Sequence, residues 1–173
     1  MCEWLRRLFT GGTGEERGVM EERFGGSITA WERPRESSRY DSLIAHYAPP
    51  SIGPLWIWAQ IMAESGANPK AVSSAGARGL SQFMPKTWGE WGDGGDIENP
   101  EDAIKAQCRY MDWLHKTSGA DIEKAFAAYN WGIGNVTRAD DGWKDKMPGE
   151  TVQYLKNIVG FYEARRMEED LVR

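Results

Sequence analysis

One carboxylate closes an apolar run. From Ile57 to Pro69 the chain reads Ile-Trp-Ala-Gln-Ile-Met-Ala-Glu-Ser-Gly-Ala-Asn-Pro. The run has the pattern of a buried helix, and the Ser-Gly-Ala-Asn-Pro breaker places Glu64 on its last turn, facing a bend. Helix C-termini favour cations, and apolar neighbours disfavour ionisation. Both effects raise a carboxyl pKa, and a glutamic acid that keeps its proton near neutral pH is what general-acid chemistry requires. An ordinary exposed Glu in a last turn would explain this local pattern equally well, so the rest of the chain has to decide.

The elements that would position Glu64 are helices joined by Gly and Pro breaks. Tyr40 to Tyr47 reads as a short helix stopped by Pro49-Pro50. Pro54 opens the next at its first turn, running to about Ser65. Residues 75–83 read as a Gly-rich turn carrying a minimal two-strand ribbon, and Lys86 to Trp91 as a short helix. Asn99-Pro100-Glu101-Asp102 is a strong helix start, with a cap residue, Pro at the first position and acids in the first turn. That helix shows Ile104, Cys108, Met111 and Leu114 on one face. Ile122, Ala125, Phe126 and Tyr129 mark another, and Val152, Leu155, Ile158, Val159 and Tyr162 the last. The fold class is mainly α.

The 173 residues amount to one domain, and 40% apolar residues with nine Trp suffice for a core. Residues 1–36 differ from the rest: they are rich in Gly, Glu and Arg, without a sustained period. They read as an arm, either flexible or docking a partner through Trp4, Leu5, Leu8 and Phe9. Residues 37–173 form the globular domain. A net charge of −5 gives no basic footprint for nucleic acid. No stretch is long and apolar enough for a transmembrane helix. Cys2 and Cys108 read as free thiols, with Cys108 a small buried hydrophobe.

The blocks beyond Glu64 carry a family pattern. They are Glu64-Ser65, then Asn68-Pro69, then Ser73, then Gly76-Ala77-Arg78-Gly79-Leu80-Ser81-Gln82-Phe83-Met84-Pro85-Lys86-Thr87. Ala127-Ala128-Tyr129-Asn130-Trp131-Gly132-Ile133-Gly134-Asn135-Val136 follows, and finally Glu150-Thr151-Val152-Gln153-Tyr154. In this order and spacing the chain, over about residues 38 to 165, resembles the soluble lytic transglycosylase family, whose catalytic domain is lysozyme-like and close to goose-type lysozyme. Several separated blocks agreeing in order is far more specific than one short motif.

The resemblance implies cleavage of the bond between N-acetylmuramic acid and N-acetylglucosamine in peptidoglycan, without water, metal or cofactor. Glu64 would be the catalytic acid and then the base, and the product would carry a 1,6-anhydro ring. Ser73 resembles the serine that hydrogen-bonds the sugar near the acid. Its bland reading is a turn Ser capping local backbone. Gln82 and Met84 resemble the polar and apolar residues flanking the acid, and Met84 would shield it from water. Tyr129 resembles the tyrosine whose hydroxyl reaches the catalytic carboxyl. Asn130 lies in the same block, where holding local backbone competes with touching substrate. Glu150 resembles the groove glutamate of the Glu-Thr block, although a place at a helix start would suit it equally.

Two positions depart from the family pattern. Ser81 stands where an apolar residue, often Met, is usual, and Trp131 stands where a small residue is common. Trp88, Trp91 and Trp131 are candidates for a sugar-stacking groove, with the core as the competing place. The segment Asp93-Gly94-Gly95-Asp96-Ile97-Glu98-Asn99 could supply a second carboxylate or ligate calcium, but it does not match an EF-hand loop, and a solvated loop is expected. His46 and His115 lack a third ligand for zinc.

The first residues do not read as a signal peptide, since Glu3, Arg6 and Arg7 interrupt what would be its apolar region. A wall-degrading enzyme then needs another route, and a bacteriophage offers two, virion packaging or release through a holin. The expectation is a phage-encoded enzyme, virion-associated or delivered to the host periplasm and wall, with tail or other virion proteins as partners of residues 1–36. The rival activities are a hydrolytic muramidase on the same fold and a non-catalytic wall-binding virion protein.

Overall fold

The computed structural model describes residues 38–171. The expected arm, residues 1–36, and Cys2 lie outside the described residues. After a 3-10 turn at Ser38–Tyr40 come α1 (Asp41–Tyr47), α2 (Pro54–Ser65), α3 (Pro85–Trp91), α4 (Pro100–Thr117), α5 (Ile122–Trp131), α6 (Ile133–Ala139), α7 (Trp143–Lys146) and α8 (Gly149–Leu171). The fold is mainly α. The expected ribbon is reduced to two isolated antiparallel bridges, Val72 with Arg78 and Arg78 with Phe83. α6 and α7 carry no expectation from the sequence, because each is short and set among Gly132, Gly134 and Gly142. α8 starts earlier and ends later than its apolar face suggested.

α2 is the central helix. Ile57, Trp58, Ala59, Gln60, Ile61 and Met62 are all buried in succession, which is what a helix surrounded by others requires. Pro54 opens it at the first turn. Gly66 ends it in the left-handed conformation at φ 59°, its N–H donating to the carbonyl of Met62. α8 packs along α2 and also touches α5, while α4 packs against α5, α3 and α1. The expected face of α4 is buried in full: Ile104, Cys108, Met111 and Leu114 join Ile44, Ile57, Ile61, Phe126, Leu155 and Ile158 in one core. Each such large aliphatic side chain contributes about 1.5–3 kcal/mol when fully buried.

The start of α4 behaves as its sequence indicates. Asn99 Oδ1 accepts from the backbone N–H groups of Glu101 and Asp102 at 2.9 and 3.2 Å. Arg165 of α8 closes the far end of the bundle, donating to both carboxylate oxygens of Asp41 at 3.1 and 2.7 Å and lying over the Trp58 ring.

Candidate active site

Three segments meet at Glu64: the C-terminal turn of α2, the loop from Gly66 to Met84, and the first turns of α8. Ser65 joins the first two, its hydroxyl donating to the Leu80 carbonyl at 2.7 Å. The loop is a set of tight turns braced by side chains. Ser73 Oγ accepts from the Ala77 N–H at 3.0 Å. Gln82 has a left-handed backbone, φ 48°, and its amide donates to the carbonyls of Gly79 and Ala71 at 2.9 and 3.2 Å. Gly79 has φ 77°, and a Cβ there would collide with the Ile97 carbonyl oxygen, so that position needs glycine on both counts.

Glu64 is half-buried. Burial pushes its carboxyl from 4.5 up to about 8, partly offset by a hydrogen bond from Tyr154. Tyr154 OH donates to Glu64 Oε1 at 2.6 Å. Burial and the adjoining Glu64 in turn push Tyr154 well above the ordinary phenol range, so it stays a neutral donor. Among the described residues no second carboxylate contributes to the displacement of Glu64. The arrangement is a lone carboxyl that holds its proton at neutral pH, with a fixed phenol to receive its charge when the proton leaves.

Of the residues expected to serve the site, Tyr129 is corrected in its contact. Its hydroxyl donates to the Ser81 carbonyl at 2.8 Å and Tyr154 takes the place at the carboxyl. The reason is position: Tyr129, on α5, meets the loop first, while α8 lies along α2 and carries Tyr154 to its end. Glu64 nonetheless acts electrostatically on Tyr129, so the two are neighbours. Asn130 accepts from Thr151 Oγ1 at 2.8 Å, tying α5 to α8. Ser73 is occupied as the turn cap described above. Glu150 is exposed on the first turn of α8. Met84 is 44% exposed, so plain core packing does not hold for it.

The acidic segment from Asp93 to Asn99 is engaged in structure. Asp93 pairs with Arg109 at 3.2 Å, Glu98 pairs with Arg78, and Asp96 Oδ1 accepts from the Glu98 N–H. Trp88 and Trp91 sit in a continuous group of rings with Phe83, Tyr110, Trp113 and Tyr129, with centroids 4.9–6.0 Å apart. Trp131 packs against the core.

Tyr154 was the residue that sequence reasoning passed over. Its signal is its place at the close of the Glu-Thr-x-x-Tyr block. Gln60 was also missed, although it lies four residues before Glu64 and therefore on the same helix face.

The domain is mainly α and built around one half-buried glutamate whose carboxyl is raised. Residues 46–149 match the family model described as the transglycosylase SLT domain, and the chain belongs to that family. Among solved structures it is similar to the 70 kDa soluble lytic transglycosylase of Escherichia coli, with 27% identity, a TM-score of 0.63, and coverage of 75% of this chain and 24% of that one. A complex of the 70 kDa soluble lytic transglycosylase with bulgecin A matches with 25% identity and a TM-score of 0.69, over 78% of this chain and 25% of that one. An inactive Glu-to-Gln mutant of the lytic transglycosylase Slt from Pseudomonas aeruginosa shares the fold, with 22% identity, a TM-score of 0.59, and coverage of 84% and 26%. The chain thus spans about a quarter of the length of the structures it matches.

Proposed function

We propose that this chain is a peptidoglycan lytic transglycosylase with Glu64 as its only acid and base. The observation that carries the reading is the state of Glu64: half-buried, raised to about 8, and hydrogen-bonded by Tyr154. In the first step Glu64 donates its proton to the oxygen linking N-acetylmuramic acid to N-acetylglucosamine, and the C1–O bond breaks. The substrate's acetamido group stabilises the cationic sugar, as in substrate-assisted glycosidases. Glu64, now a carboxylate held by Tyr154, takes the proton of the muramic acid 6-hydroxyl. That oxygen closes on C1, giving a 1,6-anhydro ring and returning Glu64 to its acid form. No water is consumed.

Exposed Met84 and the rings of Trp88 and Trp91 beside the Gly66–Met84 loop are the surfaces we assign to sugar packing. The experiment is mass spectrometry of soluble fragments released from isolated sacculi. Fragments with 1,6-anhydromuramic ends, one water lighter than hydrolysis products, are expected, and the Glu64→Gln variant should release none. Reducing muramic ends would make the protein a muramidase, and no release by the wild type would leave only a wall-binding role.

A further inference from the structure

A line of buried polar side chains runs into Glu64 from behind. Ser81 Oγ donates to Gln107 Oε1 at 2.6 Å. Gln107 Nε2 donates to Gln60 Oε1 at 2.8 Å, and Gln60 Nε2 donates to Tyr154 OH at 3.0 Å. Tyr154 then donates to Glu64 Oε1 at 2.6 Å. Ser81, Gln107 and Gln60 are each 0% exposed, in the middle of an otherwise apolar core. Burying two carboxamides and a hydroxyl there costs stability unless every bond is made, and apolar side chains of the same shape can serve a core as well as a completed network does. A polar chain that core packing does not require, and that ends on the acid, points to the acid.

The chain has a sense. Each amide offers its oxygen to the group before it and its nitrogen to the group after it. Tyr154, receiving Gln60's N–H on its oxygen, has its own hydrogen free for Glu64. Aligned bonds of this kind polarise one another, so the last one strengthens when Glu64 becomes an anion. An oxygen that accepts from Tyr154 is a poor seat for the acid's own proton.

We propose that Gln60, Gln107 and Ser81 are positioning residues for the reaction: their aligned hydrogen bonds hold Tyr154 as a donor to Glu64 Oε1, and thereby seat the transferable proton on Oε2. This rests on Glu64 being the acid proposed above. Without Gln60, Tyr154 is free to turn and accept a proton from Glu64 Oε1. That pairing favours the protonated form in an unproductive geometry and weakens support for the carboxylate that must act as base.

The surroundings allow the effect to be read. Tyr154 faces Glu64 from α8, and Tyr129 from α5, with Tyr110 and Cys108 of α4 behind it. All four are raised, so none titrates in the range of interest. The ionisable groups of α1, packed on α2, are Asp41, paired with Arg165, His46, and Tyr47, which donates to Glu101 and is itself raised. The loop brings Lys70 and Arg78, the latter paired with Glu98, and α8 brings Glu150 and Lys156. None of these contributes to the displacement of Glu64, whose causes are burial and Tyr154.

The test is a titration of Glu64 by carbon NMR of full-length protein labelled at the glutamate side-chain carboxyl, with Glu64→Gln identifying the resonance. It is paired with the pH profile of fragment release. In Gln60→Leu the midpoint of Glu64 should rise by about half to one pH unit, the alkaline limb of activity should move with it, and the maximal rate should fall several-fold. Ser81→Ala should do the same to a smaller degree. Because Gln60→Leu strands the Gln107 amide, the Gln60→Leu/Gln107→Leu double variant is the second probe. Removing both partners is close to neutral for folding, and it should show the full shift. An unmoved midpoint in folded double variant would overturn the proposal, whatever happens to its rate. Failure of the wild type to release glycan would instead overturn the assigned activity, while the NMR midpoints would still report on the relay.

Discussion

Replacing Glu64 by Gln should stabilise the protein, and the gain should grow with pH. The folded chain keeps the Glu64 proton up to about pH 8, whereas an unshielded carboxyl loses it near 4.5. Folding therefore takes up a proton anywhere between those two values, and stability falls as pH rises through that window and levels off on either side. Each pH unit inside the window is worth about 1.4 kcal/mol. A fully shielded carboxyl would thus cost about 3 kcal/mol at pH 7. Glu64 is half-buried, and solvent screening brings the figure to about 1.5–2 kcal/mol at pH 7, and somewhat more at pH 9. Gln cannot ionise and escapes this cost, while its side-chain oxygen still accepts from Tyr154. For a chain of this size the gain corresponds to a melting temperature higher by about 3–8 °C at pH 7. The assay is thermal unfolding of wild type and variant at pH 4, 7 and 9, with the pH 4 difference subtracted to remove effects of the substitution unrelated to charge. A difference that stays the same at all three pH values would refute the raised carboxyl and, with it, the reason for assigning Glu64 as acid.

Four further outcomes are expected. Tyr154→Phe removes the one hydrogen bond that lowers the Glu64 carboxyl, so the alkaline limb of activity should move upward and the rate fall by about tenfold or more, read from fragment release against pH. Gly79→Ala combines a left-handed backbone with a clash against the Ile97 carbonyl, and should cost more than about 2 kcal/mol in urea unfolding. Asn99→Ala removes the cap of α4 and should cost about 1 kcal/mol with the pH profile of activity unchanged, since the cap touches nothing at the site. The Cys108 thiol, pushed by burial up to about 12, should resist a thiol reagent in native protein and react once the chain is unfolded.

Local signals were enough for much of this molecule. Pro54 at the head of α2, Gly66 at its end, and Asn99-Pro100 at the head of α4 act through their own backbone preferences, so their helices could be bounded from sequence. The periodic face of α4 was legible because period 3.6 is a property of the helix itself. Glu64 could be singled out because an acid at the end of an apolar run is unusual wherever the helix is placed. The short helices α6 and α7 were not legible, since one or two turns among glycines have neither a sustained period nor a side-chain cap to announce them.

The partners of Glu64 were decided by tertiary structure. Tyr129 and Tyr154 are both tyrosines in recognisable blocks, and nothing local says which hydroxyl ends on the carboxyl. That depends on α8 lying along α2 while α5 meets the loop at Ser81. Likewise Gln60, Ser81 and Gln107 are isolated polar residues in three apolar contexts, up to 47 positions apart. Sequence makes each of them look like a defect in the core. Only packing brings their donors and acceptors within hydrogen-bond reach, because the distance between two side chains is set by how helices cross and not by the residues between them.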